Sequence, residues 1–152
     1  MEMNSHPYRK LFANLGISFA VMYAVMFLNV DDSSDIYLSL NRLYMTLLMV
    51  SPMCVIMMIS MKEMYPNKLW NRVISLAGVA VFATSMYCLR TQAFISDVQY
   101  MKGMIPHHSS AIMTSKHAEI ENKEVRALAD SIIQSQLDEI RLMKSLIAKH
   151  KY

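Results

Sequence analysis

Residues 43–61, LYMTLLMVSPMCVIMMISM, decide the fold class of this chain because they contain no charged side chain. A helix that crosses the hydrocarbon core of a bilayer needs about 20 consecutive apolar residues. Two further stretches meet this requirement, residues 11–30 and residues 73–89. The sequence therefore predicts an all-α protein with three transmembrane helices, over 11–30, 43–61 and 73–89.

The composition agrees with a membrane protein. Charged residues make up 18% of the chain, whereas about 25% is usual for soluble globular domains. Cys54 and Cys88 both lie in the apolar stretches and cannot form a disulfide framework. The net charge of +3 is divided between the flanks of the apolar stretches and a C-terminal part of mixed charge. We therefore expect no nucleic-acid partner.

Basic residues indicate the orientation. Those that flank one side of the apolar stretches are Arg9, Lys10, Lys62, Lys68 and Arg72. The loop 31–42, on the other side, contains three Asp and one Arg. Positively charged flanks stay in the cytoplasm. We therefore predict a cytoplasmic N-terminus over 1–10, a three-helix membrane anchor over 11–90 and an exported domain over 91–152.

The predicted exported domain has the pattern of a helical hairpin. Apolar residues recur at spacings of three and four over 125–147, which is typical of an amphipathic helix. Residues 91–118 are also rich in helix formers, although we expect Gly103 and Pro106 to kink or interrupt that helix. Residues 119–123 form the predicted turn. Because a hairpin of this size has a thin core, we expect a homo-oligomer, most simply a dimer that completes a four-helix bundle.

A candidate metal site lies near the start of the first exported helix. At about 100° per residue, Asp97, Met101, Met104, His107 and His108 fall within one arc of roughly 120°. Thioethers favour Cu(I) and imidazole suits copper and zinc, whereas calcium and magnesium need several oxygen ligands. Asp97 is either a ligand or an acceptor that orients an imidazole. The alternative is that the methionines only fill the core.

Further candidates lie elsewhere in the hairpin. Gln136 and Met143 belong to the stripe of the second helix that faces the first. Met113 and His117 form an i, i+4 pair on the far side of the first helix. This pair is either a second soft-metal site or part of the surface.

Two motifs of the hairpin are recognisable. They are MIPHHSSAIM at 104–113 and LADSIIQSQLDEIRLM at 128–143. Together with MYAVMF at 22–27, LMVSPM at 48–53 and MYPN at 64–67, they make the chain similar to membrane-anchored members of the bacterial domain-of-unknown-function family 305.

This resemblance implies an exported, ferritin-like helical bundle, of which the hairpin would be one half. The expected location is a bacterial inner (plasma) membrane, with the C-terminal domain in the periplasm or otherwise outside the cytoplasm. Some members of the family bind copper or silver and support copper tolerance. Residue by residue, the resemblance assigns metal binding to Met101, Met104, His107, His108, Gln136 and Met143.

A row of methionines runs along the second apolar stretch at i+4 spacing. Its members are Met45, Met49, Met53, Met57 and Met61. Such a row winds slowly around a helix. It is either a soft-metal path similar to the Met-x-x-x-Met helix of eukaryotic copper transporters, or apolar packing, which we favour.

No phosphate loop, HExxH segment or nucleophile with a base can be assembled from the sequence, so we predict no enzymatic activity. We expect a membrane-tethered protein that binds copper as Cu(I), with silver and zinc as alternatives, and that acts in copper homeostasis or tolerance. Two other hypotheses remain, a methionine-lined copper conduit and a helical interaction module without metal. The expected partners are the lipid bilayer and further copies of the chain.

Overall fold

A computed structural model describes residues 6–149 of the chain. In this range the chain forms five α-helices and no β-strand, which confirms the all-α prediction. The helices are α1 (His6–Val25), α2 (Leu40–Ser60), α3 (Lys68–Thr91), α4 (Asp97–His117) and α5 (Lys123–Lys149). Residues 1–5 of the predicted N-terminal segment and residues 150–152 of the predicted exported domain lie outside the described residues.

The helices belong to two compact units, and each unit is assembled from two separate parts of the chain. The three-helix unit contains the described residues up to Val25 together with Asn41–Phe94. The hairpin unit contains Met26–Leu40 together with the chain from Ile95 onward. The segment Met26–Leu40, here called the connector, therefore belongs with α4 and α5, although it precedes α2 in the sequence.

Among the described residues, two helices are long and apolar enough to cross a membrane, α2 and α3. The prediction of a third span over 11–30 is wrong by this criterion. The helix that forms there ends at Val25, and residues 26–29 form a turn. Its first turns also include Arg9 and Lys10, whose charges lower the mean hydropathy of the helix.

The three-helix unit has a core to which all three helices contribute. Its buried members are Leu11, Cys54, Met58, Tyr65 and Ile74. At Gly78, α3 approaches α2 so closely that an added Cβ would lie 3.0 Å from Val55 Cγ2 and 3.3 Å from the carbonyl oxygen of Ser51. A methyl group at position 78 would require these neighbours to move by a few tenths of an ångström.

Hydrogen bonds fix the start of α1 beside the start of α3. The Tyr8 hydroxyl donates to Asn71 Oδ1 at 2.8 Å and accepts from the backbone N–H of Asn67 at 3.2 Å. The Asn67 side chain in turn caps α3 by accepting from the N–H groups of Leu69 and Trp70. The basic residues of both helix starts therefore gather at one end of the three-helix unit.

The hairpin unit is built on α4 and α5, joined by the predicted turn. The Asn122 side chain caps the start of α5 by accepting hydrogen bonds from the N–H groups of Glu124 and Val125. The expected interruption of α4 is wrong, because the helix is continuous through Gly103 and Pro106. A kink at these residues, the other expectation, stays a prediction. Pro106 is fully buried, so packing around its ring compensates for the missing backbone donor.

The core of the hairpin unit lies between α4 and α5. Ile105, Ile112 and Ile140 are its buried members. Tyr37 of the connector also packs against this core, together with several half-buried residues of α5. The connector thus contributes an aromatic side chain to a core that two helices alone would leave thin.

Polar contacts also hold the connector against α4. The side-chain amide of Asn29 donates to Ser110 Oγ at 2.7 Å. The backbone N–H of Asp31 donates to Ser109 Oγ at 2.9 Å, and the Asp31 carboxylate pairs with Lys116 at 2.6 Å.

A further ion pair joins the connector to α5. Lys144 Nζ lies 2.7 Å from Asp35 Oδ1 and also donates to Ser34 Oγ at 2.9 Å. Asp35 is only 5% exposed. A buried carboxylate without a partner is costly, so loss of Lys144 would leave Asp35 with an unfavourable buried charge.

Candidate metal site

An open cavity of about 670 Å³ lies between the start of α4 and the end of α5. Because the two helices run antiparallel, residues near 101 on α4 come close to residues near 143 on α5. Three of the predicted site residues line this cavity, Asp97, Met101 and Met143. The rest of the lining is mostly apolar, including Leu142 and Leu146.

The cavity residues differ in their access to solvent. Met101 is 8% exposed and Met143 is half-buried, so both thioethers belong to the wall, whereas Asp97 is exposed in the first turn of α4. Met104 and Gln136 are half-buried but are not among the lining residues. The structure therefore brings together part of the predicted ligand set, one carboxylate and two sulfur atoms.

His108 is buried and its ring is already engaged on both sides. Its Nδ1 lies 2.9 Å from the backbone carbonyl oxygen of Met104, and its Nε2 lies 2.6 Å from Glu139 Oε2. The carbonyl oxygen and the ionised carboxylate are both acceptors, and each lies beside one ring nitrogen of His108. A metal ion could reach either nitrogen only after one of these contacts is broken.

Glu139 is the residue that the sequence analysis did not assign to the site. Its other carboxylate oxygen accepts a hydrogen bond from Ser135 Oγ at 3.0 Å. The signal was present, because Glu139 lies within the recognised 128–143 motif. A helical wheel of α4 alone cannot reveal an acidic partner on the facing helix.

The other predicted site residues lie outside the cavity lining. His107 is exposed, and its ring centroid lies 6.0 Å from that of His108 in an edge-on arrangement. His117 is also exposed, and its Nδ1 lies 2.9 Å from the carbonyl oxygen of Met113. The described contacts therefore join Met113 and His117 through the backbone and give no sign of shared coordination.

Residues 6–149 contain no group of three or more His, Cys, Asp or Glu side chains placed to hold a metal ion. This set of ligand types is the usual one for zinc.

The methionine row of α2 lies largely at the surface of the three-helix unit. Met45, Met49 and Met61 are exposed, whereas Met53 and Met57 are half-buried. The row therefore does not line an enclosed path within this unit, and a copper conduit along it stays a hypothesis.

The pair of Glu139 and His108 predicts a specific pH dependence of stability. The hydrogen bond with His108 lowers the pKa of Glu139 below its ordinary value of 4.5, and the bond from Ser135 acts in the same direction. The folded state therefore binds this proton less tightly than the unfolded chain. The stability that this provides is present above about pH 4.5 and is lost as the pH falls through the lowered pKa.

We expect Glu139→Gln to remove this part of the acid sensitivity. The measurement is the thermal unfolding of the full chain between pH 3 and pH 6, followed by circular dichroism. Wild-type protein should lose more stability than the variant over this range. Parallel curves for the two proteins would show that the ionised carboxylate does not contribute.

Comparisons with known proteins identify relatives of this chain. The family model described as a domain of unknown function (DUF305) matches residues 81–151. An uncharacterized protein of Acanthamoeba polyphaga mimivirus is 40% identical over 137 residues, which is 88% of each chain. No solved structure matches. The relative is viral, so it does not support the bacterial origin that the resemblance implies. The extent of these matches shows that the chain belongs to the DUF305 family.

Proposed function

We propose that this chain is a membrane-tethered protein that binds copper as Cu(I) and acts in copper homeostasis or tolerance. The observation that carries the proposal is the hairpin cavity, where Met101 of α4 and Met143 of α5 line one mostly apolar space. Thioether sulfur is a soft ligand that favours Cu(I). The family resemblance supports the same metal, because some DUF305 members bind copper or silver.

The residues present fit a soft monovalent ion better than zinc. The proposed ligands are Met101 and Met143, and Asp97 lies at the edge of the same cavity. Met104 and His107 are further candidates on α4. His108 joins them only if the contact with Glu139 is released, so its first role is to hold α4 and α5 together.

A Cu(I) titration of the purified full chain tests the proposal. Under anaerobic conditions and in mild detergent, the chain should compete with a chromogenic Cu(I) chelator until one ion is bound per chain. Zn(II) should bind more weakly in the parallel experiment. If the protein took no Cu(I) from the chelator, the remaining hypothesis would be a helical interaction module without metal.

We also propose that α2 and α3 cross the membrane. With α2 and α3 both crossing, the connector and the chain after α3 lie on the same side, and these two segments share one compact unit. The loop between α2 and α3, which contains Lys62, would then lie on the other side, together with Lys68 and Arg72 in the first turns of α3. Positively charged flanks favour the cytoplasmic side for this loop, and hence export of the hairpin unit.

A reporter fusion checks the orientation. Alkaline phosphatase joined after Tyr152 is expected to be active, because this enzyme folds only outside the cytoplasm. The control is the same reporter inserted between Lys62 and Lys68, where we expect no activity. Activity of only the second fusion would reverse the proposed orientation.

The hairpin unit is expected to pair with a second copy. Val125, Leu128 and Leu142 are large apolar residues of α5 that stay exposed, and they recur at spacings that fit one helical face. Pairing of two hairpins would cover them and complete a four-helix bundle. Mass measurement in mild detergent should therefore give a dimer or larger oligomer, and Leu128→Lys should shift it toward the monomer. A monomer mass for the unchanged chain would contradict this proposal.

A further inference from the structure

Exposed cations are concentrated at the end of the three-helix unit where α1 and α3 begin. They come from the start of α1, the turn after α2 and the first turns of α3. The segments that build this end, residues 6–14 and 57–72, contain no acidic residue except Glu63. This end therefore carries a net positive charge. Its cations, here called the basic rim, are Arg9, Lys10, Lys62, Lys68 and Arg72.

A network of aromatic and amide side chains holds these segments together. The Tyr8 hydroxyl is hydrogen-bonded to both Asn67 and Asn71. The Tyr8 ring also lies 5.4 Å from the ring of Tyr65, and the carbonyl oxygen of Tyr65 accepts from the Asn71 amide at 2.9 Å. Each cation of the basic rim lies within three residues along the chain of one of these four residues. The network therefore fixes the backbone that carries the cations.

The charges of the basic rim are not neutralised within residues 6–149. None of the five side chains forms a hydrogen bond or an ion pair with another residue of this range. The hairpin unit differs, because four of its basic residues pair with aspartates, namely Lys116, Arg126, Arg141 and Lys144. The basic rim therefore presents positive charge that an anion from outside the chain can neutralise.

The basic rim also lies at the level where a bilayer presents its headgroups. Lys62 and Arg72 directly adjoin the apolar stretches of α2 and α3, and Lys68 lies five residues before the second stretch. Five residues of helix extend about 7.5 Å, which is close to the depth of the headgroup layer on one side of a bilayer. Trp70 is 44% exposed among these cations, and exposed tryptophan is typical of a membrane interface.

We propose that the basic rim binds the headgroup of an anionic phospholipid. Lys68 and Arg72 are four residues apart, so they lie on one face of α3 and offer a point charge and a forked donor to the same phosphate. Leu69 and Val73, which are 69% and 47% exposed, provide apolar contact for the acyl chains. A zwitterionic headgroup carries its own cation and gains less from this charge. The inference rests on the proposed crossing of the membrane by α2 and α3, and it is independent of metal binding by the hairpin unit.

Quenching of Trp70 fluorescence tests the proposal at the basic rim itself, because Trp70 is the single tryptophan of the chain. The full chain is reconstituted into vesicles of phosphatidylcholine and phosphatidylglycerol, with brominated acyl chains on one lipid and then on the other. At equal mole fraction, brominated phosphatidylglycerol should quench Trp70 as if it were enriched about fivefold, which corresponds to roughly one cation contact. A higher salt concentration should lower this preference.

The possible results separate the lipid preference from the membrane crossing. Equal quenching by the two brominated lipids would overturn the preference and leave the crossing in place. Absence of quenching by either lipid would overturn both, because Trp70 would then lie outside the bilayer. Glycerol 3-phosphate, added at constant ionic strength, should not change the quenching. If it abolished the preference for phosphatidylglycerol, the basic rim would be a site for a soluble phosphate and not for a lipid.

Charge-neutralising variants test whether the basic rim is the binding place. Lys68→Gln combined with Arg72→Gln should reduce the preference for phosphatidylglycerol to less than about twofold. The matched control combines Lys123→Gln with Lys149→Gln, which removes the same charge from exposed positions at the two ends of α5 and should keep the preference.

Helix content by circular dichroism shows that each variant is folded before its quenching is compared. If the variant of Lys68 and Arg72 fails this test, Lys10→Gln combined with Lys62→Gln replaces it, because both of these cations belong to the basic rim and lie outside α3. An unchanged preference in the folded variant, or an equal loss in the control, would overturn the assignment of lipid binding to the basic rim.

Discussion

Replacement of Met101 and Met143 together by leucine is expected to weaken Cu(I) binding on the order of 100-fold or more. Loss of groups that only support a ligand already costs about 10–100-fold in metal affinity, and this change removes two proposed ligands. Leucine nearly conserves the apolar volume, so the hairpin core should stay packed. The measurement is the Cu(I) dissociation constant of the full chain, obtained by competition with a chelator.

The matched control is Met113→Leu. Met113 is also half-buried on α4, but it does not line the cavity. Its replacement should leave the dissociation constant unchanged, and the double variant should lose far more affinity for Cu(I) than for Zn(II). If the double variant bound Cu(I) as tightly as the parent, the two thioethers would be core residues only.

Removal of the ammonium group in Lys144→Met is expected to destabilise the hairpin unit by about 2–4 kcal/mol. The lysine is the partner of Asp35, whose side chain is only 7% exposed. Without it, a carboxylate stays buried with no opposite charge beside it. Thermal or chemical unfolding of the full chain, followed by circular dichroism, measures the change.

Two further variants identify the cause of this loss. Arg141→Met removes an exposed ion pair with Asp138 from the same helix and should change stability by about 0.5 kcal/mol at most. Combining Lys144→Met with Asp35→Asn should recover part of the stability, because no unpaired charge then remains buried. Equal losses of stability in Lys144→Met and Arg141→Met would show that the buried pair of Lys144 and Asp35 contributes no more than an exposed ion pair.

The sequence predicts where helices form better than it predicts where they end or which residues of other helices they contact. The uncharged run of 43–61 and the spacing of three and four in α5 identify these elements directly, since both signals are local. The end of α1 at Val25 is not visible in the same way, because apolar residues continue beyond it to Leu28. A helix and a turn can both be apolar.

The sequence does not predict contacts between residues that are far apart along the chain, either in the candidate site or between the connector and α4. The ion pair of Asp31 with Lys116 joins residues 85 positions apart, and no periodicity connects them. The same holds for His108 and Glu139, which lie on facing helices. The arc of site residues on α4 was derived from one helix, so it located Met101 and Asp97 but treated His108 as free.

The chain passes between its two compact units three times, after Val25, Leu40 and Phe94. A gene fragment that encodes only α4 and α5 would lack the partners of Ser109, Lys116 and Lys144. A single recombination event at the start of α4 therefore cannot transfer the complete hairpin unit to another protein.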